Sequence, residues 1–155
     1  MSKEFYILAF LWIISIITLL SISKGKMRLT QITFLFTQAL AWVFEYILVF
    51  FKLVEFPYRE FEVATKMSFS LYYVIFPVVG VLFILFYPTT SRKGKVFFYY
   101  LFFSMLIPTF SSFAEKYTKL FLFVNWNWSV HVLADLIIFY ILKQFIFWFR
   151  RGIVS

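Results

Sequence analysis

The sequence predicts an all-α integral membrane protein, a bundle of five transmembrane helices forming a single domain over residues 1–155. The first observation is composition, because 63% of the residues are hydrophobic, whereas about half is usual for a soluble domain. The second is that the apolar residues form five runs, each long enough to cross about 30 Å of hydrocarbon. The third is charge, because the loops between these runs alternate between basic and nearly neutral.

The loop charges predict how the bundle is oriented. All seven acidic residues fall on one side of the membrane or in the half of a span nearest to it. The loops of the other side are basic: they contain Lys24, Lys26, Arg28, Arg92, Lys93, Lys95, Arg150 and Arg151. Because positively charged loops remain in the cytoplasm, we expect the N-terminus outside and the C-terminus cytoplasmic. The predicted location is the cell membrane, as a multi-pass protein of the bacterial inner membrane.

The remaining composition excludes several classes of protein. A net charge of +8 would indicate nucleic acid binding in a soluble protein, but the cytoplasmic loops account for it here. We therefore expect the lipid bilayer, and no nucleic acid, as a partner. The absence of cysteine excludes disulfides, thiolate nucleophiles and cysteine metal sites. The 25 Phe and 10 Tyr, against 4 Gly, predict packing through large rings rather than tight crossings of small residues.

The first two spans are predicted over 5–23 and 29–51. The first is an uncleaved anchor, because its positive cluster follows the apolar run instead of preceding it. In the second, polar residues recur every seven positions and stay on one helix face. They are Gln31, Gln38, Glu45 and Lys52.

This polar row predicts an inward-facing surface, since hydrocarbon cannot solvate polar side chains. We expect Gln38 and Glu45 to face the bundle interior, while Phe44 and Leu48 more often meet lipid or other packing. A seam of interhelical hydrogen bonds is the simpler interpretation of the same row.

The other three spans are predicted over 68–87, 96–113 and 128–149. Pro77 is expected to kink the third span, because proline cannot donate its backbone hydrogen bond. The mixed-charge stretch 52–67 before it is compatible with a short helix in the outer interface. In the fourth span, Ser104, Pro108 and Ser111 share one helical face with Glu115.

Polar residues at similar depth define a candidate site in the outer leaflet. Glu45 lies about five residues, or roughly 7 Å, outward of the middle of the second span. Asp135 lies about four residues outward of the middle of the fifth, with His131 one turn above it. Because an isolated ionised carboxylate is costly at this depth, each acid must be protonated, paired or hydrated.

The sequence therefore predicts a hydrated pocket in the outer leaflet. Its candidate residues are Glu45, Glu115, His131, Asp135, Gln38 and Trp42. Unconnected residues at helix ends, bonded to water, are the competing interpretation. The single histidine makes H-x-x-x-D a weak ligand pattern, so we expect no metal. With no motif for an activated nucleophile, we also expect no catalytic residue and no cofactor.

Several short motifs occur in a characteristic order over roughly the last hundred residues. They are P-x-R-x-F at 57–61, F-P at 76–77, E-K-x-T-x-L at 115–120 and W-x-W-x-x-H at 126–131. This order resembles an uncharacterised family of small membrane proteins from spore-forming Bacillus and Clostridium relatives, which are Gram-positive bacteria. The resemblance implies a bundle of about five helices and a sporulating host, and it implies no activity.

Three classes of function remain open. A non-enzymatic accessory or regulatory subunit that docks to a larger membrane complex is favoured, because the chain is short and lacks a reaction motif. The alternative is an oligomeric channel or transporter that uses Glu45 and Asp135 as proton or cation sites. An intramembrane enzyme acting on lipid or peptide is a second alternative. The expected partners are accordingly another membrane protein or further copies of this chain.

Overall fold

The computed structural model describes residues 2–154, and within that range the chain forms five α-helices. They are α1 (Lys3–Leu20), α2 (Met27–Phe50), α3 (Phe76–Leu85), α4 (Lys93–Tyr117) and α5 (Trp128–Val154). A 3-10 turn, Lys24–Lys26, leads into α2, and a π-helical turn, Leu71–Ile75, runs directly into α3. The other two elements are short strands, β1 (Val54–Glu55) and β2 (Leu122–Phe123).

The predicted helical bundle is confirmed, with one helix shorter than expected. α1, α2, α4 and α5 are long and apolar enough to cross a membrane. The third span, predicted over 68–87, corresponds to the shorter apolar helix Leu71–Leu85, which we call the central helix.

The central helix is enclosed by the other helices. α1, α2 and α5 all contact it, and most of its side chains are buried, including Leu71, Tyr72, Val81 and Phe83. Since protein rather than lipid surrounds it, the thickness of the hydrocarbon does not dictate its length.

The π-helical turn accommodates Pro77. The Phe76 N–H donates to the carbonyl of Leu71, five residues back, so the helix widens immediately before the proline. Pro77 has no N–H for the carbonyl of Tyr73. Gln38 of α2 supplies the missing donor, with its Nε2 2.7 Å from that carbonyl oxygen. The half-buried Gln38 thus repairs the backbone of the central helix, which agrees with the simpler interpretation of the polar row.

The bundle contains one tight crossing of small residues, which the composition did not lead us to expect. Gly80 of α3 lies directly against the Thr37 side chain of α2, and a Cβ added to Gly80 would overlap it. The Thr37 hydroxyl donates to the carbonyl of Thr33 at 2.7 Å, so its side chain is held in place. The absence of a side chain at Gly80 is what brings the two helices together.

Large rings fill the other half of the core, as the composition predicted. Phe83 lies at the centre, and its ring centroid is 4.6–5.7 Å from those of five neighbours. These neighbours are Tyr87, Tyr99, Tyr100, Phe103 and Phe139. Edge-on and tilted contacts of this kind add to the stabilisation from burial. We call this group the aromatic cluster.

Two loops form a cap over one end of the bundle. β1 and β2 pair antiparallel, with Val54 opposite Phe123, and the Tyr58 N–H donates to the Lys119 carbonyl at 2.8 Å. Phe56 and Phe121 are buried beneath this pairing. The stretch 52–67 therefore contributes a strand and turns rather than a short helix, because its backbone finds partners in the second loop.

Acidic side chains lie toward one end of the bundle, whereas basic side chains occur at both ends. At the capped end, the Glu4 carboxylate accepts from the Lys119 N–H at 3.1 Å, so the start of α1 lies there. At the opposite end, which we call the basic end, Arg150 lines the same pocket as Lys26 and Thr89. The start of α1 and the end of α5 consequently lie at opposite ends of the bundle.

Candidate functional site

Four buried polar side chains from three elements meet in the half of the bundle below the cap. They are Glu45 of α2, Tyr72 of the π-helical turn, and His131 and Asp135 of α5, each no more than 3% exposed. Tyr72 lies within electrostatic range of both Glu45 and Asp135. We call these four residues the polar cluster.

The His131–Asp135 pair has unused hydrogen-bonding capacity. Nε2 of His131 lies 3.9 Å from Oδ1 of Asp135, one helical turn away, which is too long for a hydrogen bond. Both imidazole nitrogens, Oδ2 of Asp135 and the Tyr72 hydroxyl have no partner among the described residues. Buried polar groups in proteins are nearly always satisfied by protein or water. This cluster is therefore equipped to hold a proton, a water molecule or a small polar ligand.

A small cavity lies against the pair. Its volume is about 30 Å³, and His131, Asp135, Tyr72 and Thr37 supply its polar lining. Phe76 and Ile107 are among the apolar residues that close it. This volume accommodates about one water molecule. The cavity is thus large enough for hydration of the pair but too small for an organic substrate.

Aromatic rings surround His131 on the side of the cap. The imidazole centroid lies 5.7 Å from Phe44, 5.9 Å from Trp126 and 6.4 Å from Phe123. Phe123 belongs to β2, so the histidine contacts the cap directly. Apolar surroundings strengthen electrostatic interactions, because less water screens them. Any change in the charge of His131 is accordingly felt by residues of the cap.

Glu45 also has a structural role. Its Oε1 accepts from the Ser68 N–H, directly before the helical residues 69–70 that lead into the central helix. The Glu60 carboxylate accepts from the next two amides, Phe69 at 3.2 Å and Ser70 at 3.1 Å. Carboxylates at a helix N-terminus satisfy free N–H groups and interact favourably with the helix dipole. Oε2 of Glu45 has no partner among the described residues, which leaves this atom free to interact with the cluster.

The structure assembles only part of the predicted pocket. His131 and Asp135 lie one turn apart on α5, and Tyr72 is within electrostatic range of both Glu45 and Asp135. Gln38 instead bonds to the central helix. Glu115 lies at the rim, where its Oε1 accepts from the Phe123 N–H at 2.9 Å and holds β2 in place. Trp42 is 52% exposed and points away from the site.

Two further positions on α2 meet protein packing rather than lipid. Leu48 is buried in the core, and Phe44 faces the site. The buried face of α2 consists of Thr30, Thr33, Thr37, Ala41, Glu45 and Leu48. These residues are spaced three or four positions apart rather than seven, because their small side chains allow the central helix to pack closely against this face.

Sequence patterns identified two further buried polar residues but not Tyr72. The face shared by Ser104 and Ser111 was visible as a pattern, and both serines are fully buried with hydroxyls that lack a partner among the described residues. Tyr72 was missed, because no periodicity distinguishes it from the other tyrosines. Its sequence context, five residues before Pro77, was the only available signal.

The site does not resemble a metal centre. Within residues 2–154, no group of three or more His, Cys, Asp or Glu side chains is placed to hold a metal ion. The His131–Asp135 pair offers two ligands at most, fewer than a zinc site requires.

Comparisons with protein-family models, with curated proteins and with solved structures find no match to this chain. The resemblance described for residues 57–131 therefore stays a prediction.

Proposed function

We propose that this protein is a non-enzymatic multi-pass membrane protein in which the His131–Asp135 pair binds and releases a proton. Occupancy of the pair would control the cap, as suits a regulatory subunit of a larger membrane complex. The observation that carries the proposal is the set of buried, unpartnered polar atoms on His131, Asp135 and Tyr72. An imidazole, a carboxyl and a phenol that share a cavity large enough for one water can exchange a proton over short distances.

The surroundings of the site favour regulated binding over an open channel. The cap residues Phe123 and Trp126 cover the pair on one side. On the other side, the aromatic cluster around Phe83 fills the core between the site and the basic end. Access from either end therefore requires side chains to move, which ties proton exchange to a conformational change.

The contact between His131 and the cap would couple proton binding to the position of the cap. An imidazolium is attracted to the faces of aromatic rings, whereas the neutral ring is not attracted in this way. Protonation would accordingly alter the contacts of His131 with Phe123 and Trp126. Because the Phe123 N–H is bonded to Glu115, a shift of β2 would reach the exposed surface of the cap.

Proton-linked transport is the second candidate, favoured by a separate observation. The hydroxyls of Ser104 on α4, and of Thr30 and Thr33 on α2, are buried and without partners among the described residues. Thr30 and Thr33 lie toward the basic end, so polar atoms continue beyond the cluster in that direction. A transport cycle in which the aromatic cluster opens would use these groups.

The proposed orientation places the capped end outside the cell and the basic end in the cytoplasm. Support comes from the clustering of Lys26, Arg28 and Arg150 at one end, as expected for cytoplasmic loops. In this orientation the cap, with Glu115 and Glu60, faces the exterior and is available to an extracellular or membrane-embedded partner.

Trp126 provides the direct test of proton binding. Its ring lies beside His131, so its fluorescence should report the charge of the imidazole. The other four of the 5 tryptophans are replaced by Phe, and the emission of the purified protein is titrated with pH. We expect one titration step that disappears in both Asp135→Asn and His131→Gln. The matched control is Glu62→Gln, which removes an exposed carboxylate from the cap and should leave the step unchanged.

Proteoliposomes distinguish the two candidate functions. A regulatory protein should show no proton flux, and a transporter should show a flux that Asp135→Asn abolishes. If the fluorescence titration persists unchanged in both site variants and no flux is observed, the polar cluster is structural and the proposal fails. Purification in mild detergent then shows whether a stoichiometric partner accompanies the protein.

A further inference from the structure

A second site lies at the basic end, far from the polar cluster. A pocket of about 510 Å³ opens between the start of α2 and the end of α5. Lys26, Arg28 and Arg150 supply its charged lining, and Leu29, Ile32 and Phe147 belong to its apolar lining. The volume falls within the range of about 300–1,000 Å³ that is typical of ligand sites.

The charge of this pocket is uncompensated. Within the described part of the chain, none of its three basic side chains forms an ion pair with a carboxylate. No acidic residue lines the pocket, because every acid of the chain lies toward the capped end. Three cations brought together without a counter-ion repel one another, and an anion between them would relieve that repulsion.

The pocket combines this charge with an apolar wall. Leu29 and Ile32 belong to the face of α2 that continues into the membrane-spanning part of the helix. A ligand held here would place its anionic group on Lys26, Arg28 and Arg150 and an apolar portion along these side chains. Guanidinium groups suit this task, because their planar N–H donors pair with two phosphate oxygens at once.

We propose that this pocket binds an anionic phospholipid, with its phosphate between Arg28 and Arg150 and its acyl chains against Leu29 and Ile32. The occupant is a lipid rather than a free phosphate, because the apolar wall would have no partner in a soluble anion. Neighbouring arginines outside the pocket would attract anionic lipid only as surface charges. A specific site predicts that replacing a basic residue of the pocket weakens lipid binding more than replacing its neighbour outside the pocket. General attraction to the bilayer predicts no such difference.

The chain offers matched controls for this prediction. Arg150 lines the pocket and Arg151 does not; likewise Lys26 lines it and Lys24 does not. The protein is purified in neutral detergent and titrated with phosphatidylglycerol, while its thermal unfolding midpoint is followed. Because a ligand that binds the folded state raises the midpoint, the half-saturating lipid concentration measures affinity.

We expect Arg150→Gln and Arg28→Gln each to raise the half-saturating concentration about tenfold, as the loss of a charge-assisted hydrogen bond would. Arg151→Gln and Lys24→Gln should change it less than twofold. Arg150→Lys should restore part of the affinity, since the charge remains and only the paired geometry is lost. Circular dichroism checks that each variant is folded, and the change at an exposed helix end should not prevent this.

Three results would overturn the proposal. Equal losses in Arg150→Gln and Arg151→Gln would show unspecific attraction to surface charge. Equal stabilisation by phosphatidylcholine would show that the lipid charge is irrelevant. Equal stabilisation by glycerol 3-phosphate would identify a soluble phosphate site instead. Asp135→Asn should bind phosphatidylglycerol normally, so the outcome is independent of the function proposed for the polar cluster.

Discussion

The hydrogen bond from Gln38 to the Tyr73 carbonyl should be a measurable source of stability. Gln38→Leu removes a side-chain donor to a carbonyl that Pro77 cannot satisfy. The 2.7 Å separation is that of a well-formed bond. Interhelical hydrogen bonds in membrane proteins contribute about 0.6 kcal/mol on average and up to about 1.7. Tyr73 is 38% exposed to the surroundings of the bundle; in hydrocarbon, a polar group left without a partner costs about 1–3 kcal/mol. We therefore expect a loss of about 1–2 kcal/mol.

Gln31→Leu is the matched control. Gln31 occupies the same helix seven residues earlier, is exposed, and forms no side-chain hydrogen bond with the rest of residues 2–154. Subtracting its effect removes the contribution of replacing an amide by an apolar side chain in lipid. Unfolding in mixed micelles of mild and denaturing detergent gives the free energy of unfolding for each variant.

A double-mutant cycle with Pro77→Ala tests the mechanism. Alanine restores an N–H for the Tyr73 carbonyl, so Gln38→Leu should destabilise the Pro77→Ala protein by much less than the parent. The expected coupling energy is about 1 kcal/mol, large enough to resolve in such cycles. If Gln38→Leu is equally destabilising in both backgrounds, or no worse than Gln31→Leu, the repair of the helix by Gln38 is refuted.

Three further predictions concern packing, topology and the capping of the central helix. Gly80→Ala should destabilise the bundle by about 1–3 kcal/mol through overlap with Thr37; Thr37→Ala in the same chain should recover most of this loss, and no recovery would contradict the close approach. In intact cells, a membrane-impermeant thiol reagent should label Tyr58→Cys and not Thr90→Cys, since the chain has no native cysteine; labelling of Thr90→Cys from outside would reverse the proposed orientation. Glu45→Gln should fold normally, because the amide oxygen can still accept the Ser68 N–H before the central helix. Glu45→Leu should lose about 1 kcal/mol of stability in the same unfolding assay. Equal stability of the two variants would exclude capping by this side chain.

The helices were predictable because their signal is strong and local. Apolar runs located each one, and the errors lie at the ends. α4 was predicted over 96–113 but spans Lys93–Tyr117, since lysine and glutamate favour helix and can extend their charged groups toward water. The proline of the third span was recognised, but its consequence was not. A π-helical turn precedes the proline and a glutamine from another helix bonds to the Tyr73 carbonyl, and neither follows from local sequence.

The depth of the candidate residues within their spans could be estimated from the sequence, but the direction in which their side chains face could not. Glu45, His131 and Asp135 were grouped because they lie at similar heights in their spans; the structure buries all three, with His131 and Asp135 one helical turn apart. The seven-residue row also selected Trp42 as a companion, which points outward. Which face of α2 is buried depends on where Gly80 allows close approach, and that is a property of two helices rather than one. Tyr72 was missed because no periodicity distinguishes it from the other tyrosines.

The hydrogen bond between Glu45 and the Ser68 N–H bears on how the chain is made. Its two partners are 23 residues apart, so the Ser68 amide is synthesised soon after the acid that it will satisfy. At a translation rate of about 5–20 residues per second, this delay is roughly 1–5 seconds. Asp135 leaves the ribosome much later, after α1, α2, α4 and both strands of the cap have been synthesised. During biogenesis, Glu45 can therefore form its hydrogen bond early. Asp135 is added later, when the helices against which α5 packs have already been synthesised.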